Sequence, residues 1–178
     1  MSKIKDYKVL VTGAAGFIGS HLVDQLLDDG YTVVGLDNLH NGKLENIELA
    51  QSHPEFSFIK GDILNKEELS RAMENIDIVY HLACLGVRHS LHSPFENHQV
   101  NAEGTLNVLE CALKEKTKHF YYISTSEIYG KNTSFPIKES DPTWPLTVYG
   151  SSKLAGEHYT NSYNECYGMD TTVLRIFN

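Results

Sequence analysis

Tyr149 and Lys153, four apart in Tyr149-Gly150-Ser151-Ser152-Lys153, are the residues of this sequence whose types and spacing best suit proton transfer. On a helix that spacing sets both side chains on one face. A free phenol has a pKa of about 10, too high for a base near neutrality, but a neighbouring ammonium favours the phenolate. A bound nicotinamide cation acts in the same direction, and the lysine carries three donors for a cofactor ribose. Taken alone, a tyrosine and a lysine four apart describe no more than a solvated helix face. Their meaning depends on what the chain brings beside them.

The second set is Gly13-Ala14-Ala15-Gly16-Phe17-Ile18-Gly19, which follows an apolar run and opens a segment of helical periodicity. Backbone N–H groups at a helix start lack intrahelical partners and carry the positive end of the helix dipole. Where glycines remove the side chains, a pyrophosphate can approach them closely. Gly13, Gly16, Phe17, Ile18 and Gly19 are therefore candidate dinucleotide contacts. Asp37 ends the next apolar run. Its carboxylate can accept from a ribose diol and repels a 2′-phosphate, which points to NAD rather than NADP.

These groups need a scaffold. β-rich apolar runs recur at Tyr7 to Thr12, Thr32 to Asp37, Phe56 to Lys60, Ile76 to His81, His119 to Ser124 and Thr171 to Ile176. Between them, Phe17 to Asp29 and Asn97 to Lys114 place apolar residues at helical spacing. Alternation of this kind predicts an α/β fold with a doubly wound parallel sheet of at least six strands and helices on both faces, a Rossmann fold. Gly30 reads as the stop of the first helix, and Lys131 to Pro145, with Pro136 and Pro142, as a long functional loop. Residues 1–178 are expected to form one domain.

Composition narrows the partners. A formal charge of -8 over 178 residues argues against nucleic acid or an anionic membrane surface. No apolar run approaches the ~20 residues of a membrane span, and the apolar run of the amino-terminal segment is too short for a signal peptide. The expectation is a cytoplasmic protein without a metal site. Cys84, Cys111 and Cys166, odd in number and widely spaced, read as small buried hydrophobes in a reducing compartment.

The G-x-x-G-x-x-G spacing, Tyr149-x-x-x-Lys153 and the following Leu154-Ala155-Gly156-Glu157 together resemble the extended short-chain dehydrogenase/reductase family. Asp37-Asn38-Leu39 with Gly42-Lys43 and Glu45-Asn46-Ile47 is similar to the stretch after the second strand in its nucleotide-sugar 4-epimerases. The resemblance covers essentially the whole chain. It implies cofactor contacts at Asn38, at Asp62 and Ile63 in Gly61-Asp62-Ile63, and at Leu82 and Ala83 after His81, whose imidazole is better read as buried and satisfied. It implies that Thr125 is catalytic with Tyr149 and Lys153, Thr125 orienting a sugar hydroxyl, Tyr149 taking its proton and NAD taking the adjacent hydride. Ser124 and Ser126 are possible helpers.

Two reactions stay open after that shared step. Glu127, in Ser124-Thr125-Ser126-Glu127, resembles the catalytic glutamate of 4,6-dehydratases and UDP-glucuronate decarboxylases. Gly86-Val87-Arg88 with Ser90 and Pro94 instead looks like UDP-sugar and UDP-uronate 4-epimerases, and the balance favours 4-epimerisation of a UDP-sugar. Arg88, Ser126 and Asn178 are the substrate-contact candidates. Members of the family dimerise through the Tyr–Lys helix and the preceding long helix, which implies a homodimer for the full-length parent. They also continue into a carboxyl-terminal substrate domain that this chain lacks, so a fragment is expected. A non-catalytic NAD-binding protein is the reading from another class.

Overall fold

The computed structural model describes residues 7–131 and 135–177. Six parallel strands form a single sheet in the order β3-β2-β1-β4-β5-β6: β1 Lys8–Thr12, β2 Thr32–Asp37, β3 Phe56–Lys60, β4 Ile78–His81, β5 His119–Thr125 and β6 Thr171–Ile176. The order reverses between β1 and β4, which pair in parallel with Val9 beside Ile78 and Thr12 beside His81. At such a switch point the connections leave in opposite directions and open a crevice at the carboxyl ends of the strands. The predicted doubly wound fold is the one observed.

Alternation along the strands supplies two cores. Val9, Val11 and Val33 turn to one face and pack with Val23, Leu26 and Leu27 of α1 (Phe17–Asp28) and with Ile47 and Ala50, the latter on α2 (Glu48–Gln51). Leu10, Val34, Val79, Phe120 and Tyr122 turn to the other face. There they meet Leu69 and Met73 of α3 (Lys66–Met73), Val108 and Leu109 of α6 (Gly104–Lys114) and Tyr163 of α7 (Val148–Tyr167). Each fully buried aliphatic or aromatic side chain is worth about 1.5–3 kcal/mol of transfer free energy, so the sheet is anchored from both sides.

The ends of the elements are set locally. Gly30 takes a φ of +87° and its N–H bonds the Leu27 carbonyl, stopping α1 as expected. Asn65 caps α3, accepting from the Glu67 and Glu68 amides, and the Thr147 hydroxyl accepts from Gly150 N–H at the start of α7. Between β4 and α6 lie two short helices, α4 (Val87–Ser90) and α5 (Pro94–His98).

The helix expected from Asn97 to Lys114 is not uniform. It runs on from α5 through a π turn at Gln99–Glu103 into α6. Helical spacing cannot foresee the extra residue. Its physical reason is polar: Asn97 and Asn101 both donate to the Leu85 carbonyl at 2.9 Å, and Asn101 accepts from Leu85 N–H at 2.8 Å. A π turn of this kind is frequently found beside a functional site. The segment expected as a long loop, Lys131 to Pro145, is irregular over its described residues, 131 and 135–145; Asn132 to Ser134 lie outside the described residues.

The expected burial of the cysteines is corrected. Cys111 is half-buried, whereas Cys84 and Cys166 are exposed. Cys84 belongs to the segment after β4 that faces the crevice, and Cys166 sits at the last turn of α7, where the helix leaves the core.

Candidate active site

The crevice at the switch point holds a cavity of about 560 Å³. It gathers residues far apart in the chain. Gly13, Gly16, Phe17, Ile18 and Gly19 come from the β1–α1 turn, Asp37 and Asn38 from the end of β2, and Asp62 and Ile63 from the end of β3. Leu82, Ala83 and Cys84 come from the end of β4, Ser124 and Thr125 from β5, and Tyr149 and Lys153 from α7. Every residue expected to touch the cofactor lines this one cleft.

The turn is compact because glycine is required in it. Gly13 has a φ of +73°, and a Cβ there would stand 2.9 Å from the Ala83 nitrogen. A Cβ on Gly19 would stand 2.0 Å from the Gly13 carbonyl oxygen. Gly16 precedes α1 with no side-chain cap, and the first turn of the helix carries no acidic residue. The amino end of α1 is thus open toward the cleft, and Phe17 is 77 % exposed. These features fit an anion such as a dinucleotide pyrophosphate.

Asp37 is buried beside this turn. Its Oδ2 accepts from Ala15 N–H at 3.0 Å and its Oδ1 from Leu39 N–H at 2.8 Å. A carboxylate has about four lone-pair sites, so both oxygens keep acceptor capacity for a diol. Gly42 lets the following loop fold over them, since a Cβ there would lie 2.8 Å from Oδ1. Asn38 donates to Asp62 Oδ2 at 2.9 Å, tying the ends of β2 and β3 together.

His81 sits with no exposed surface at the end of β4. Its Nε2 meets Thr105 Oγ1 at 3.0 Å, and that hydroxyl already donates to the Asn101 carbonyl at 2.6 Å. Nε2 is therefore the donor, and Nδ1 accepts from the Thr12 hydroxyl at 2.7 Å. Thr12 Oγ1 in turn accepts from Ala83 N–H at 3.2 Å. Burial pushes the imidazole down to about 3, with a smaller contribution from Lys153. The histidine is a neutral strut that fixes the segment carrying Leu82 and Ala83, in keeping with its reading as a satisfied side chain.

The Tyr–Lys pair lies on the first two turns of α7. Lys153 is 2 % exposed and its Nζ stands 4.3 Å from the centroid of the Tyr122 ring. Burial works against its charge, but Tyr122, Cys84 and Tyr149 outweigh that effect and hold the amine above the ordinary lysine range. For Tyr149 the balance runs the other way from the expectation. Burial raises the phenol and Cys84 adds to it, while Lys153 and the Thr125 hydroxyl lower it without prevailing. The ammonium opposes the desolvation of the phenolate but does not by itself turn Tyr149 into a base at neutral pH.

Other candidates lie elsewhere. Glu127 is exposed on the short turn Ser126–Ile128 and does not line the cleft, nor do Ser126 and Arg88. The Glu127 backbone instead serves the site, its N–H donating to Thr125 Oγ1 at 3.2 Å. Asn178 lies outside the described residues. The sequence reading passed over His40, Asn41 and Glu96 of the lining. It also passed over the Asn97–Asn101–Ser152 network, in which Ser152 Oγ donates to Asn97 Oδ1 at 3.2 Å and so links α5 to α7. Two asparagines four apart, and so on one face of the helix, were the available signal.

Among the described residues, no helix is long and apolar enough to cross a membrane, and no group of three or more His, Cys, Asp or Glu is placed to hold a metal ion.

The sequence matches the GDP-mannose 4,6 dehydratase family over residues 10–178. It is 39% identical over 166 residues to the UDP-glucose 4-epimerase of Mycolicibacterium smegmatis, covering 92% of this chain and 53% of that protein. Among solved structures, it is similar to the UDP-glucuronic acid 4-epimerase of Bacillus cereus in complex with UDP-glucuronic acid and NAD. That likeness has a TM-score of 0.87 at 40% identity, over 94% of this chain and 55% of that one. The dTDP-glucose 4,6-dehydratase DesIV of Streptomyces venezuelae, solved with NAD bound, gives a TM-score of 0.90 at 33% identity, over 94% and 55%. The chain spans about half the length of the curated relatives it matches. With its sheet order, its glycine turn and its Tyr149–Lys153 pair, this chain belongs to the nucleotide-sugar epimerases and dehydratases of the extended short-chain dehydrogenase/reductase family.

Proposed function

We propose that this chain is the NAD-binding half of a nucleotide-sugar 4-epimerase acting on a UDP-sugar through a 4-keto intermediate. The observation that carries the reading is the convergence, in one cleft, of an uncapped glycine-rich helix start, Asp37 and the Tyr149–Lys153 pair. The open amino end of α1 would hold the pyrophosphate, Asp37 the adenosine ribose, and Lys153 the ribose nearer the reacting centre. NAD supplies a hydride acceptor when bound. Thr125 would hold the sugar hydroxyl and Tyr149 would accept its proton, with Lys153 opposing the build-up of charge on the phenolate.

Epimerisation is favoured over dehydration or decarboxylation by the position of Glu127. Those reactions need a further acid–base group beside the new carbonyl, and the glutamate resembling it is exposed and outside the lining of the cleft. The 4-epimerases from Mycolicibacterium smegmatis and Bacillus cereus support the same choice. The sugar and its nucleotide would be held largely by a further domain of the full-length parent, as the doubled length of the relatives suggests. The test is a product assay of that parent with UDP-glucose, UDP-glucuronate and GDP-mannose. A C4 epimer of a UDP-sugar supports the proposal, whereas a 4-keto-6-deoxy sugar or released carbon dioxide overturns it.

A further inference from the structure

Cys84 has no part in the chemistry above, yet it lines the same cleft and is exposed. Its backbone neighbours are held on both sides. Ala83 N–H bonds Thr12 Oγ1, Leu85 N–H bonds Asn101 Oδ1, and the Leu85 carbonyl accepts from both Asn97 and Asn101. A segment pinned this way presents the thiol at a fixed place rather than letting it swing. That place is the reacting end of the cleft, whose lining Cys84 shares with Thr125, Tyr149 and Lys153. A second observation marks the same end as built for a ligand: Ser124 Oγ, on a residue 4 % exposed that also lines the cleft, is a buried side-chain oxygen with no hydrogen-bond partner among the described residues. A buried hydroxyl left unpaired in a folded chain calls for a partner that is not protein.

We propose that Cys84 is a covalent modification site for thiol-selective electrophiles, open when the cleft is empty and shielded when a dinucleotide fills it, and that its modification blocks the cofactor. In the reaction with iodoacetamide, the Cys84 sulfur forms a bond to the methylene carbon, the carbon–iodine bond breaks, and iodide and the thiol proton leave to solvent. The added group occupies the space beside Tyr149 and Lys153 where the redox end of the cofactor belongs. This inference rests on the cofactor reading of the cleft.

The experiment uses the purified chain, iodoacetamide and NAD, with labelling followed at each cysteine by peptide mass. Cys166, exposed at the far end of α7, is the internal control. With NAD at about 100 times its Kd, the empty fraction falls about 100-fold, and the Cys84 labelling rate is expected to fall with it while that of Cys166 holds. In a C111S/C166S chain, singly alkylated protein is expected to lose the thermal stabilisation that NAD gives the unlabelled protein. Equal Cys84 labelling with and without NAD, in a chain that NAD does stabilise, overturns the placement of the thiol alone. Alkylated chain that NAD stabilises as before overturns the block. If NAD fails to stabilise the unlabelled chain, the cofactor reading fails, and the shielding fails with it.

Discussion

Lowering the pH should destabilise this protein through one side chain, His81. The imidazole is fully buried between Thr12 and Thr105 and is pushed down to about 3 from an ordinary 6.5. A group whose folded pKa is depressed contributes stability that is present above its unfolded pKa and lost as pH falls toward the folded one. The window is therefore pH 6.5 down to about 3. At about 1.4 kcal/mol per pH unit, stability falls by about 2 kcal/mol between pH 6.5 and pH 5 and by about 5 kcal/mol over the whole window. A domain of ordinary stability, about 5–15 kcal/mol, would feel this strongly.

The comparison that isolates the term is H81Q, which keeps an amide donor and acceptor but cannot titrate. The variant is expected to be less stable than the natural chain at pH 7 by about 1–3 kcal/mol, because the Thr12 and Thr105 hydroxyls lose good geometry. Urea midpoints measured stepwise from pH 7 to pH 5 should then converge by about 2 kcal/mol, since other titrating groups are common to both chains. Parallel curves would refute the assignment of His81 as a neutral buried strut.

Three further outcomes follow from single contacts. In the full-length parent, K153M is expected to lower kcat by about 100-fold or more and to move the alkaline rise of the rate upward in pH, because the lysine lowers the Tyr149 phenol against its burial; an unchanged pH profile would count against that role. G19A places a Cβ against the Gly13 carbonyl and should cost about 1–3 kcal/mol in urea unfolding and weaken NAD binding in calorimetry. Arg175 donates to the buried Glu157 carboxylate at 2.8 Å and to the Glu139 carbonyl at 2.8 Å, so R175M should cost about 3–5 kcal/mol and expose residues 135–147 to limited proteolysis.

The sheet was legible because each parallel strand is a short apolar run between helical segments, as Val9 to Val11 and Val33 to Leu36 show. That the residues expected at the cofactor share one cleft was legible for a related reason. Gly13 and Gly19 belong to one tight turn, and Asp37 reaches that turn from the end of the next strand, so a motif of fixed spacing records all three. What escaped depends on partners that no motif spacing records. The π turn follows from Leu85 drawing Asn97 and Asn101 toward it, and the exposure of Cys84 follows from the crevice opposite β4. The upward shift of Tyr149 escaped too, because the spacing of a Tyr–Lys pair reveals the cation but not the burial that opposes it.

Whether this cleft is a site for NAD is decided by the thermal stability of the chain with NAD and with NADP. At about 100 times Kd, NAD is expected to add about 2.7 kcal/mol, which for a chain of this size raises Tm by about 5–10 °C. NADP should do markedly less, because Asp37 faces its 2′-phosphate, and D37A should shrink the difference between the two. Equal stabilisation by both cofactors would contradict the role of Asp37, and none by NAD would contradict the site itself.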